Sequence, residues 1–86
     1  MAKVIVITGA GAGVGRATAI EFAKNGYDTA LLSRDPARLE ALTQVIRKMG
    51  RRALPIPTDV AKADQVAAAA GRAEDELGPI DTWGTW

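Results

Sequence analysis

Glycines at positions 9, 11, 13 and 15 follow directly on Val4-Ile5-Val6-Ile7-Thr8, so the most flexible residue type comes straight after a stiff, apolar run. The chemistry this order suits is anion binding. A helix beginning at such a turn offers unpaired backbone N–H groups and the positive end of its dipole. Glycine lets the backbone bend sharply and leaves no Cβ between those donors and a phosphate. A second candidate group, Ser33-Arg34-Asp35, closes the next apolar run. In dinucleotide-binding folds an acidic residue about 20 positions beyond the glycines holds the ribose 2′-hydroxyl, whereas a basic one accommodates a 2′-phosphate.

Ser33 is neutral, and Arg34 is able to grip a phosphate through two parallel N–H bonds. Arg16, in the first turn of the first helix, adds a second positive charge. Asp35 is the competing reading, since a shift of one residue makes it the ribose carboxylate of an NAD binder. Pro36 fits the first helical position, however, and assigns Asp35 to the helix cap. Arg34 also fits a solvated surface residue; weighed together, these residues favour NADP over NAD. The chain has no His, the commonest general base and metal ligand, and no Cys for disulfides or thiolate metal sites. No metal site is expected. Tyr27, the single tyrosine, precedes the second strand and reads as packing.

The elements that must position these residues alternate. Residues 3–8 read as a strand buried on both faces. Residues 14–25 read as a helix whose small arc Gly15-Ala19-Ala23 permits close approach to a sheet, with Gly26 ending it. A second strand spans 28–33. The second helix follows with Asp35 as N-cap, Pro36 at its start and Gly50 past its end, and its stripe is Leu39, Leu42, Val45 or Ile46, and Met49. The two prolines of a third strand, 52–57, argue for an edge position. A third helix covers 63–78, and 80–83 begins a fourth strand. This order predicts an α/β fold of the Rossmann type, three layers with a parallel sheet, right-handed crossovers and helices on both faces.

The glycine spacing matches neither the P-loop nor the commonest dinucleotide fingerprint, Gly-x-Gly-x-x-Gly/Ala. It reads Thr8-Gly9-x3-Gly13-x-Gly15, which resembles the short-chain dehydrogenase/reductase family over residues 1–83. The resemblance implies that Gly9, Gly11, Ala12, Gly13, Val14 and Gly15 line a cofactor pyrophosphate. It implies that Asp59 hydrogen-bonds the adenine and that Val60 packs on the ring, although Asp59 also fits a turn or cap role. Members of the family transfer hydride with a Tyr-x-x-x-Lys pair, a Ser and an Asn. Position 31, four residues after Tyr27, is Leu, so no catalytic residue carries over. The expectation is therefore a partial dinucleotide-binding domain over residues 1–86, the NADP-binding first part of an oxidoreductase, cut off after the start of the fourth strand. There the chain reads Gly84-Thr85-Trp86 where the family continues Val-Asn-Asn-Ala-Gly.

Composition narrows the partners. A net charge of +1, with the basic residues mostly dispersed, argues against nucleic acid and anionic membrane as targets. The N-terminal apolar run is too short for a signal peptide or a membrane span, which makes a cytoplasmic location the default. A chain of 86 residues buries only roughly 60–65% of its unfolded surface. Each buried backbone group left unpaired along the first strand would cost about 1–3 kcal/mol. Such an edge also invites self-association. A non-catalytic NAD(P)-binding module and an interaction fragment pairing through that edge are the alternative functions. No residue of the chain names a substrate.

Overall fold

The computed structural model describes residues 2–11 and 13–84. Strand and helix alternate as β1 (Lys3–Thr8), α1 (Gly13–Lys24), β2 (Tyr27–Ser33), α2 (Pro36–Lys48), β3 (Ala53–Pro57), α3 (Ala63–Leu77) and β4 (Thr82–Gly84). All neighbouring strands run parallel, in the order β3-β2-β1-β4. The chain thus steps outward from β1 to β3 on one side, then returns to place β4 on the other. That reversal creates a switch point beside β1, and parallel strands bring all their C-terminal ends to one edge.

The period-2 alternation of β1 explains the layers. Ile5 and Ile7 point to one face, with Leu31 and Ala53, and pack under Ala19 and Ala23 of α1 and Leu39, Leu42 and Ile46 of α2. Val4 and Val6 point to the other, with Ala30, Leu32, Leu54 and Ile56, beneath Ala69, Ala73 and Leu77 of α3. Each such aliphatic side chain contributes roughly 1.5–3 kcal/mol on full burial. Tyr27 and Phe22 pack edge-to-face at 4.9 Å against the first of these clusters. Tyr27 is therefore a packing residue.

The third strand does lie at the sheet edge, and the prolines show how. Thr58 N donates to Ser33 O at 2.8 Å, so even-numbered N–H groups face β2. Pro55 and Pro57 then occupy positions whose N–H would point away from the sheet, where its loss is harmless. Two expectations need correcting. Met49 does not extend the α2 stripe; it caps the helix and is 37% exposed. The fourth strand begins at Thr82 rather than at residue 80. Asp81 lies just outside it, because its Oδ2 accepts from Val4 N at 2.8 Å while its own N donates to Val4 O at 2.9 Å. With Ile5, Val6 and Ile7 paired to Thr82, Trp83 and Gly84, and Thr8 Oγ1 donating to Gly84 O, β1 is covered along Val4–Thr8. The sheet edge lies one strand further out, on β4.

One polar group of the core lacks a partner among the described residues. Thr29, wholly buried in β2, has an Oγ1 with no hydrogen bond. Thr29→Val keeps the shape and removes the hydroxyl. It is expected to stabilise the domain by about 1–2 kcal/mol, raising Tm by roughly 4–16 °C at this size. A drop in Tm on thermal melting would mean that the hydroxyl is satisfied.

Candidate functional site

At the C-terminal edge of the sheet, the ends of β1, β2 and β3 stand side by side. Gly9, Ser33, Arg34, Asp35, Pro36, Thr58 and Val60 line a cleft of about 650 Å³ there. Arg34, Pro57, Thr58, Asp59 and Gln65 line a smaller depression of about 240 Å³. Residues as far apart in sequence as Gly9 and Val60 meet only because the strands are parallel and their connections tight.

The glycine turn is built for two separate reasons. Gly9 and Gly13 adopt φ of 65° and 59°, the left-handed region that side chains rarely enter. Gly15 is needed for space: a Cβ on it would press into the Gly9 carbonyl, 2.7 Å from the carbonyl carbon. It is buried at the start of α1, so its part is to seat the helix against the turn. Gly11 lies toward the second strand; a Cβ there would come within 2.8 Å of Ser33 Oγ and 3.4 Å of Arg38 Cβ. Val14 is exposed at the mouth of α1. Ala12 lies outside the described residues. The first turn of α1 contains no acidic residue, and residues 9–12 carry no side-chain acceptor that could cap it. An anion arriving there meets backbone donors without a competing carboxylate.

At the end of β2 the capping assignment of Asp35 holds. Its Oδ1 accepts from Ala37 N and Arg38 N at 3.1 and 3.2 Å, with Pro36 opening the helix. Its Oδ2 pairs with Arg38 Nε at 3.3 Å. Both oxygens are thus engaged. That ion pair is solvent-exposed and worth less than about 1 kcal/mol. Ser33 Oγ accepts from Asp35 N at 3.2 Å, leaving its hydroxyl proton free to donate. Arg34 is exposed on the cleft wall. Arg16 is exposed on α1 and does not line that cleft.

Asp59 serves a turn: its Oδ1 accepts from Ala61 N at 3.0 Å, and its N donates to Gln65 Oε1 at 2.8 Å. Its second carboxylate oxygen has no partner among the described residues. Val60, half exposed, presents an apolar side chain to the cleft. Two participants escaped the sequence reading. Thr58 is a buried member of the cleft wall, and Arg38 stands within reach of both Gly11 and Asp35. The signal for Arg38 was its place three residues after an N-cap, which returns it to the same helix end.

Comparison with known proteins fits this architecture. The family model described as short chain dehydrogenase matches residues 3–83. An uncharacterized oxidoreductase of Mycobacterium tuberculosis is 42% identical over 79 residues, covering 92% of this chain and 30% of the relative. L-sorbose reductase from Gluconobacter frateurii, solved with NADPH and L-sorbose, superposes with a TM-score of 0.89 at 35% identity, over 95% of this chain and 32% of that one. A short chain dehydrogenase/reductase from Burkholderia phymatum in complex with NAD gives 0.91 at 35% identity, over 95% and 29%. The chain thus spans under a third of the length of these relatives. Its parallel sheet is of the Rossmann type, as in these neighbours, and together with the glycine turn and the match over nearly its whole length it shows that the chain belongs to the short chain dehydrogenase family.

Proposed function

We propose that this chain is the NADP(H)-binding first part of a hydride-transferring oxidoreductase, residues 1–86 forming part of its dinucleotide-binding domain. The turn at 9–15 would hold the pyrophosphate, Ser33 and Arg34 the ribose end, and Asp59 with Val60 the adenine. Bound nicotinamide supplies or accepts the hydride; the residues of this chain bind and orient the cofactor. The observation that carries the preference for NADP is the cap that Asp35 Oδ1 forms on Ala37 N and Arg38 N, which ties that carboxylate to α2 and sets a neutral Ser33 and a cationic Arg34 beside it on the cleft wall. A ribose 2′-hydroxyl meets a carboxylate already committed to the helix cap, whereas a 2′-phosphate finds a guanidinium. A cytoplasmic location belongs to the same proposal. Among the described residues no helix is long and apolar enough to cross a membrane.

Calorimetric titration tests the reading. NADPH should bind about tenfold or more tightly than NADH, and Arg34→Gln should erase most of that difference. Equal or tighter binding of NADH would remove the preference for NADP. Saturable binding of neither would remove the dinucleotide site.

A second reading, association through the sheet edge, draws on Trp83, which is 44% exposed on the edge strand β4. Sedimentation decides it: a concentration-dependent dimer supports pairing, and a monomer throughout dismisses it.

A further inference from the structure

We propose that a cleft at the other end of the sheet is a second anion site, suited to the phosphate group of a small phosphate ester. Arg47, Lys48, Arg51 and Arg52 gather four of the chain's 11 basic residues around the end of α2 and the approach to β3. Three of these, Arg47, Arg51 and Arg52, line a cleft of about 340 Å³ together with Leu54, Glu76 and Leu77. The dinucleotide cleft stands at the C-terminal ends of the strands, whereas this one opens where β3 begins. Its volume falls within the range of small-molecule pockets.

The charges of this lining do not cancel. Arg52 is answered by Asp28 at 3.0 Å and Glu76 by Arg72 at 2.7 Å, but Arg47 and Arg51 have no carboxylate partner among the described residues. Arg47 stands in the last turn of α2, where the helix dipole offsets only about half a charge. Each of the two guanidiniums is tethered to backbone instead. Arg47 Nη2 donates to Ala53 O at 3.0 Å, and Arg51 Nη1 donates to Gly26 O at 2.8 Å. The other terminal nitrogens, Arg47 Nη1 and Arg51 Nη2, have no partner among the described residues. Two long side chains are thus already held, so a ligand has less freedom to remove from them. Glu76 O and Leu77 O, which would repel an anion, accept from Arg52 at 3.1 and 2.9 Å. A phosphate monoester brings about −1.5 to −2 charge and three acceptor oxygens, which matches two guanidiniums better than a single carboxylate does. Leu54 and Leu77 add apolar surface for the organic part of the ester.

The test titrates phenyl phosphate and benzoate, which differ in their anionic group, into the ¹⁵N-labelled 86-residue chain and follows the backbone amides by NMR. Phenyl phosphate should shift the amides of residues 47–54 saturably, with a Kd of about 1 mM or below, and benzoate should bind about tenfold more weakly. Arg47→Gln and Arg51→Gln should each weaken phenyl phosphate at these amides about fivefold or more, and Arg51→Lys should recover part of the loss. Circular dichroism of each variant checks that the fold is kept. Arg34→Gln, in the other cleft, should leave this titration unchanged. Shifts confined to residues 9–15 would overturn the second site, as would linear shifts that sodium chloride reproduces at equal ionic strength. Benzoate binding as tightly as phenyl phosphate would overturn the match to phosphate. NADPH binding at residues 9–15 is read separately in the same spectra, so failure of either site is told apart from failure of the other.

Discussion

Gly15→Ala should lower the thermal midpoint by roughly 12–24 °C, although it adds a single methyl group. Overpacking a well-packed site costs about 1–3 kcal/mol when side chains can give way. Here the obstacle is the Gly9 carbonyl, which belongs to the backbone and cannot choose another rotamer. The cost therefore falls at the upper end, near 3 kcal/mol, and each kcal/mol moves Tm by about 4–8 °C in a domain of this size. α1 must lift off the turn to make room. The same shift pulls its N-terminal donors away from the proposed pyrophosphate position, so affinity for NADPH should fall with stability. Gly71→Ala is the control. It lies within α3 with open space around its missing Cβ, and alanine is favoured in a helix interior by about 1 kcal/mol. That variant should melt higher than the parent. If Gly15→Ala melts within a few degrees of the parent, the contact between helix and turn is looser than described.

The other large effect lies at the opposite edge of the sheet. Arg52 joins three elements. Its Nε and backbone N donate to the two oxygens of buried Asp28, each at 3.0 Å, and its terminal nitrogens donate to Glu76 O and Leu77 O at 3.1 and 2.9 Å. Those carbonyls belong to the last turn of α3, where unpaired acceptors and the negative end of the dipole collect. Arg52→Met keeps most of the aliphatic stem and removes every guanidinium bond. Asp28, only 4% exposed at its side chain, then keeps one backbone donor and no countercharge. Removing one partner of a buried pair costs about 3–5 kcal/mol, but the Arg52 side chain is 58% exposed and water softens the loss. A decrease of about 2–4 kcal/mol is expected, read as a lower urea midpoint with an unchanged slope. Arg52→Lys should fall between the two, since it restores charge but not the planar fork. A midpoint unaltered in Arg52→Met would show that Asp28 is satisfied without it.

Both effects link residues that the sequence sets apart, and this marks the boundary of what it discloses. The alternation of elements, the parallel sheet and the place of the glycine turn were legible because each rests on short-range signals. These are strand runs of β-branched residues, small residues at helical spacing, and the Asp35-Pro36 pair that starts α2. The edge position of β3 was legible as well, because proline withholds an N–H wherever it sits. Tertiary structure alone decided that Gly15 answers to the Gly9 carbonyl, and that Asp81, 77 residues from Val4, stands in for a strand residue and delays β4. It also decided that Arg38 and Ser33 meet beside Gly11, and that Arg52 serves Asp28 and α3 together. Periodicity assigns a residue to a face of its own element. Which distant backbone that face then meets depends on how the strands are ordered and how closely the helices settle on them.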